Sequence, residues 1–86
     1  MIILFPAGET WDGNREVISF PADMNKQRIR CAVSLEALED HFGGDNLPPL
    51  DIFRTKRNII EGIVERLINQ QRFEQDGTIL IGSQDC

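Results

Sequence analysis

Apolar positions along the chain change period several times, and each change marks an element. Ile2 to Phe5 is a short apolar run ended by Pro6 and Gly8, which predicts a strand. Thr10-Trp11-Asp12-Gly13-Asn14 is turn material, because Asp-Gly and Asn tolerate positive φ. Arg15 to Phe20 predicts a second strand, with Ile18 and Phe20 on one face and Pro21 closing it. The clearest alternation runs from Lys26 to Ser34. Ile29, Cys31 and Val33 share one face, and Lys26, Arg28, Arg30 and Ala32 share the other. The short Ala22–Asn25 connection predicts an antiparallel hairpin between these strands.

Period two then gives way to period 3.6. Ser34 is a natural N-cap, Glu36 suits the positive helix end, and Leu35, Leu38 and Phe42 form a stripe. This predicts a short helix over Leu35–Phe42, stopped by Gly43-Gly44. Asp45 to Pro49 is a connector leading into one long helix, which runs to about Gln70 and is about 30 Å long. Phe53, Ile60, Ile63, Val64, Leu67 and Ile68 lie on its broad apolar face, with Asp51, Thr55, Asn58, Glu65 and Asn69 opposite. Gln75-Asp76-Gly77 predicts a turn and Thr78–Ile81 a final, well-covered strand, with Arg72-Phe73-Glu74 as a short arm that could pair with it. Gly82 to Cys86 is expected to fray.

The resulting order is β-β-β-α-α-β, an α+β class. We expect a two-layer domain over residues 1–86, with two helices covering one face of a mostly antiparallel sheet. The other face would be partly open and carry Lys26, Arg28 and Arg30.

Composition narrows the functional classes. The 86 residues carry a net charge of −5, shared as −3 over residues 1–43 and −2 over residues 44–86. A dedicated nucleic-acid binder needs a basic footprint, so this balance disfavours one. The apolar N-terminus is too short for a signal segment, and no apolar run approaches the roughly 20 residues that span a bilayer. Two cysteines, Cys31 and Cys86, are too few for a disulfide scaffold and point to a reducing, cytoplasmic setting.

Little material remains for catalysis. The single His41 lies at the end of the short helix, where it complements the helix dipole, and its neighbour Asp40 does not face it. One His and two distant cysteines have no metal-ligand spacing, and no glycine-rich phosphate loop is present. We therefore expect no metal and no cofactor. Cys31 is expected in the core, behaving as a small hydrophobe. The cations Lys26, Arg28 and Arg30 form one strand row, and Arg54, Lys56 and Arg57 cluster on the long helix. If both groups converged they would make an anion site. Arg57 is the odd side chain, since it lies on the apolar line Phe53–Arg57–Ile60–Val64. A charge there needs a partner, with Glu61 one turn on and Glu39 or Asp40 available from the short helix.

Several blocks resemble a known family. Phe5-Pro6, Trp11-Asp12, Arg15, Val17, Phe20 and Ala22 read in order. They are followed by Ile29 to Ser34, Glu36-Ala37-Leu38, Phe42-Gly43, Phe53, Arg57, Ile60-Glu61 and Gly77 to Leu80. The pattern resembles domain-of-unknown-function family 1488, small bacterial proteins of about this length, and Cys31 to Leu38 is its most specific part. The resemblance implies a small soluble bacterial α+β protein and carries no activity or catalytic residues with it. Among the matched positions, packing explains Arg57, Glu61, Trp11 and Asp12 least well.

Three functions follow as expectations. The first is a non-catalytic module that binds a protein partner or a second copy of itself. The second is a regulatory protein that touches nucleic acid through Lys26, Arg28, Arg30 and Arg54. The third is an enzyme or small-ligand binder using Arg57, Glu61 and Asp12, with Trp11 a further candidate binding residue. The lack of a catalytic set favours the first, and the acidic balance ranks the second below it.

Overall fold

A computed structural model of the chain describes residues 2–43 and 46–86. Its elements are β1 (Ile3–Leu4), β2 (Thr10–Asp12), β3 (Val17–Met24), β4 (Gln27–Ser34), α1 (Leu35–His41), α2 (Pro49–Thr55), α3 (Arg57–Asn69) and β5 (Ile79–Ile81), followed by one 3₁₀ turn over Ser83–Asp85. The sheet is mostly antiparallel, in the order β1-β3-β4-β5. β2 pairs with β3 beside β1, and β5 alone runs parallel to its neighbour β4. The α+β arrangement, with helices on one face of the sheet, is as the periodicity predicts.

The core follows from the two periods. Ile18, Phe20 and Ala22 of β3, Ile29, Cys31 and Val33 of β4, and Ile79 and Ile81 of β5 all face the helices. Leu38, Phe53, Ile60, Val64 and Leu67 close over them. Phe20 and Phe53 meet with ring centroids 4.9 Å apart at 50°, joining sheet to helix. The Ser34 hydroxyl accepts from the Ala37 N–H at 3.0 Å, so the N-cap forms as expected, and Gly43 takes φ +66° past the helix end. Gly44 and Asp45, expected to complete that stop and begin the connector, lie outside the described residues.

The structure corrects six local expectations. Thr10–Asp12 is a strand, not a turn. It pairs Thr10 with Ser19, Trp11 with Ile18 and Asp12 with Val17, while the turn comes after it. Pro21 does not end β3. On that edge β1 reaches residues 23 and 24 and β2 reaches residues 17 to 19, so Pro21 faces a gap where no ladder partner is lost. Gly8, at φ +145°, passes close to it, and a Cβ there would come 3.4 Å from the Pro21 ring.

Lys26 is in the hairpin turn rather than in β4. Asn25 and Lys26 both take positive φ (52° and 68°) between the closing pair Met24 and Gln27, as a two-residue type I′ turn demands.

The long helix is two helices. Thr55 Oγ1 donates to the Asp51 carbonyl at 2.8 Å, a back-bond that bends helices, and Lys56 departs to φ −107°, ψ 17°. The apolar face survives the break, with Phe53, Ile60 and Val64 wholly buried. Arg72-Phe73-Glu74 is not a strand. Its backbone joins a turn, in which Glu74 N–H donates to Thr78 O at 2.8 Å and Gly77 N–H to Glu74 O at 2.9 Å.

The tail does not fray. Asp85 is buried and its carboxylate accepts from the Gly82 N–H at 3.0 Å and from Arg72 at 3.5 Å. Arg66 donates to the Asp85 carbonyl, and Ser83 Oγ donates to Asp40 at 2.8 Å, which ties the tail to α3 and α1. Polar closure of this kind replaces the apolar contacts a short tail lacks. No helix among the described residues is long and apolar enough to cross a membrane.

Candidate functional site

Arg57 opens α3 beside the segment between β1 and β2. Its guanidinium is engaged on three sides. Nε donates to Glu61 at 2.8 Å, Nη1 to Glu9 at 3.0 Å, and Nη2 to the Phe5 and Pro6 carbonyls at 3.2 Å each. Its carbon Cζ lies 5.6 Å from the centre of the Phe53 ring. Glu9 also accepts from Arg54 Nε at 3.0 Å. Burial opposes the Arg57 charge, but the bonds from Glu61 and Glu9 outweigh it and raise its pKa. Glu9 is pulled down to about 2, first by Arg54, then by its own backbone N–H, with Arg57 adding to the effect.

Arg57 is therefore a fastener. The partner one turn on, Glu61, is as expected, but the second comes from the β1–β2 segment rather than from Glu39 or Asp40 of α1. Four of its five N–H groups are committed, which leaves little with which to hold a ligand. Asp12 is committed as well. Its Oδ1 accepts from the backbone N–H groups of Asn14 (3.0 Å) and Arg15 (3.2 Å), shaping the turn after β2. Trp11 is half-buried and packs against the core.

The two cationic groups do not converge. Arg28 pairs with Asp23 across the hairpin, which raises the Arg28 pKa, while Arg54 is held on the helix side by Glu9. Lys26 projects from the hairpin turn and is exposed. His41 is exposed at the end of α1. Cys31 is wholly buried, and burial pushes its thiol up to about 12, as befits a small core hydrophobe. Among the described residues no group of three or more His, Cys, Asp or Glu side chains could hold a metal ion.

What the residue pattern did not reveal is a groove on the open face of the sheet. Registers place Thr10, Ser19, Ala32 and Leu80 in one row across four strands. Three of these side chains are short, so the row is a trough, with an open volume of about 790 Å³. Arg30, level with Pro21, stands one row along, and Arg15 rises from the turn after β2. Glu74 and Asp76 form part of the rim. Asp76 is held below the usual carboxylate range by the Thr78 hydroxyl and N–H, at 2.7 and 3.0 Å. Only Lys26, Arg28, Arg30 and Ala32 were visible beforehand as one face, and of these Lys26 lies in the hairpin turn instead. Ser19 joins it through the β3–β4 register, and Thr10 joins because β2 is a strand.

Comparison with known proteins gives a consistent answer. The family model described as "Protein of unknown function (DUF1488)" matches residues 3–81. The chain is 37% identical over 78 residues to the Uncharacterized protein YrdB of Escherichia coli (strain K12), covering 90% of this chain and 92% of that protein. Its Shigella flexneri counterpart is 36% identical over the same coverage. A crystal structure of a DUF1488-family protein of unknown function from Shewanella loihica PV-4 superposes with a TM-score of 0.83 at 30% identity, covering 92% of this chain and 90% of that one. By family model, by sequence and by fold, the chain belongs to the DUF1488 family.

Proposed function

We propose that the protein is a non-catalytic binding module that engages a protein partner, or a second copy of itself, through the open face of its sheet. One observation carries this reading: the helices cover one face only, and the face they leave bare holds the groove over Thr10, Ser19 and Ala32. The polar residues considered for a catalytic site are used in fastening the chain. Arg57 and Glu61 bond each other, and Asp12 shapes a turn. The net charge of −5, with Arg28 and Arg54 both paired, ranks nucleic acid below a protein partner. Two unpaired cysteines support a cytoplasmic setting.

The test compares Leu80→Glu, which charges the groove row at an exposed position, with Glu65→Lys on the exposed side of α3. Affinity capture and sedimentation equilibrium are run on both. We expect Leu80→Glu alone to lose the captured partner or the dimer. Equal behaviour of both variants, or a strict monomer that captures nothing, would overturn the reading.

A further inference from the structure

Apolar anchoring ends at Gly82. The strand before it is set in the core, where Ile79 and Ile81 are wholly buried. The 3₁₀ turn after it, Ser83–Asp85, brings no large apolar side chain. The turn coils on itself: Gly82 N–H donates to the Asp85 carboxylate and Asp85 N–H to the Gly82 carbonyl, both at 3.0 Å. Its fastenings to the rest of the fold are polar and come from three separate places. Ser83 Oγ donates to Asp40 of α1 at 2.8 Å, Arg66 of α3 donates to the Asp85 carbonyl, and Arg72 donates to the Asp85 carboxylate at 3.5 Å. The turn therefore lies as a strap from α1 to α3. It also walls two pockets. One, of about 490 Å³, has Phe42, Ile59 and Ile63 in its lining beside Cys86. The other, of about 300 Å³, has Leu67 and Leu80 in its lining beside Gly82, Gln84 and Asp85.

We propose that Ser83–Cys86 is a strap that opens at Gly82 while the rest of the fold stays closed, joining the two pockets into one cleft along α3. Opening exchanges a few polar bonds for bonds to water, and a hydrogen bond has a small net worth for that reason. It withdraws no apolar anchor of the strap itself, whereas releasing β5 would expose two core isoleucines. Segments with few apolar contacts and solvent-facing bonds are the ones that open below global unfolding. The floor that the strap covers is apolar, with Ile63 and Leu67 on successive turns of α3 and Phe42 past the end of α1. The cleft is thus sealed by charge and hydrogen bonding and floored by hydrocarbon. This device bridges α1 and α3 and does not depend on the open-face reading above.

The test is hydrogen exchange of the full chain under native conditions, read amide by amide. We expect the Gly82 and Asp85 amides to exchange about a hundredfold faster than those of Ile79 and Ile81, after correction for local sequence. Ser83→Ala and Arg66→Gln each remove one fastening, and each should speed the strap amides about tenfold further while the β5 amides hold their rate. Nile red, an uncharged dye that brightens against apolar surface, should bind more to both variants than to the wild type. Glu65→Lys, on the exposed side of α3, should change neither readout. Strap amides that exchange together with those of β5 would overturn the proposal. So would equal acceleration of both sets in the variants, no acceleration in either variant, or faster strap exchange with no added dye binding.

Discussion

Arg57 Nη1 and Glu9 Oε1 lie 3.0 Å apart although 48 residues separate them in sequence. The bond pins the start of α3 to the segment that leaves β1 and enters β2. The same guanidinium holds the Phe5 and Pro6 carbonyls, which have no strand partner because the chain leaves the sheet between β1 and β2. One side chain thus donates to carbonyls that a half-buried excursion would otherwise leave without donors.

Removing Arg57 should be costly for that reason. Arg57→Ala leaves Glu9 and Glu61 facing each other and two carbonyls unbonded, and we expect a loss of about 2–4 kcal/mol. Arg57→Lys should recover less than half of it, since an ammonium cannot serve three directions from one plane. Urea unfolding of both, and of Glu9→Gln alone and combined with Arg57→Ala, gives the coupling. Additive losses would show that the pair does not act as a unit.

The pH dependence has a defined sign. Glu9 titrates near 4.5 when free and near 2 when folded. Its folded value is depressed, so it adds stability that is fully present above 4.5 and is lost as pH falls from 4.5 toward 2. Glu9→Gln should lower the unfolding midpoint at neutral pH and flatten the acid limb of the stability curve in that window. Denaturant midpoints measured across the window decide it, and parallel curves for the two proteins would refute the assignment.

The two thiols should behave differently. Cys31 is wholly buried with its thiol pushed up to about 12, whereas Cys86 is exposed. A disulfide reagent should label Cys86 in the folded protein and reach Cys31 only through global opening. Rapid labelling of both under native conditions would mean that β4 opens locally.

Local chemistry was legible wherever a residue acts on its near neighbours. Ser34 caps because its hydroxyl is three residues from the N–H it needs, and the alternation of Ile29, Cys31 and Val33 names its own buried face. The breaks in expectation share a cause. Thr10–Asp12 has turn-forming residues and becomes a strand because β3 offers it an edge, and Pro21 stays inside β3 because that edge is unoccupied beside it. The tail over Ser83–Asp85 is ordered by Arg66, Arg72 and Asp40, none of them adjacent.

The site divides in the same way. That Arg57 is a charge in an apolar stripe, and so needs a partner, was determined by the sequence, because helical periodicity and the cost of an unpaired buried charge suffice. That its second partner, besides Glu61, is Glu9 was decided by the tertiary structure, since only folding brings positions 48 apart into contact. The hydrophobic pattern likewise determined an α+β fold with a cationic strand face. How those cations are used was a matter of packing: Arg28 finds Asp23 across the hairpin, Lys26 sits in the hairpin turn, and Arg30 is left facing the groove. Period and propensity are properties of neighbours along the chain, and pairing is a property of neighbours in space.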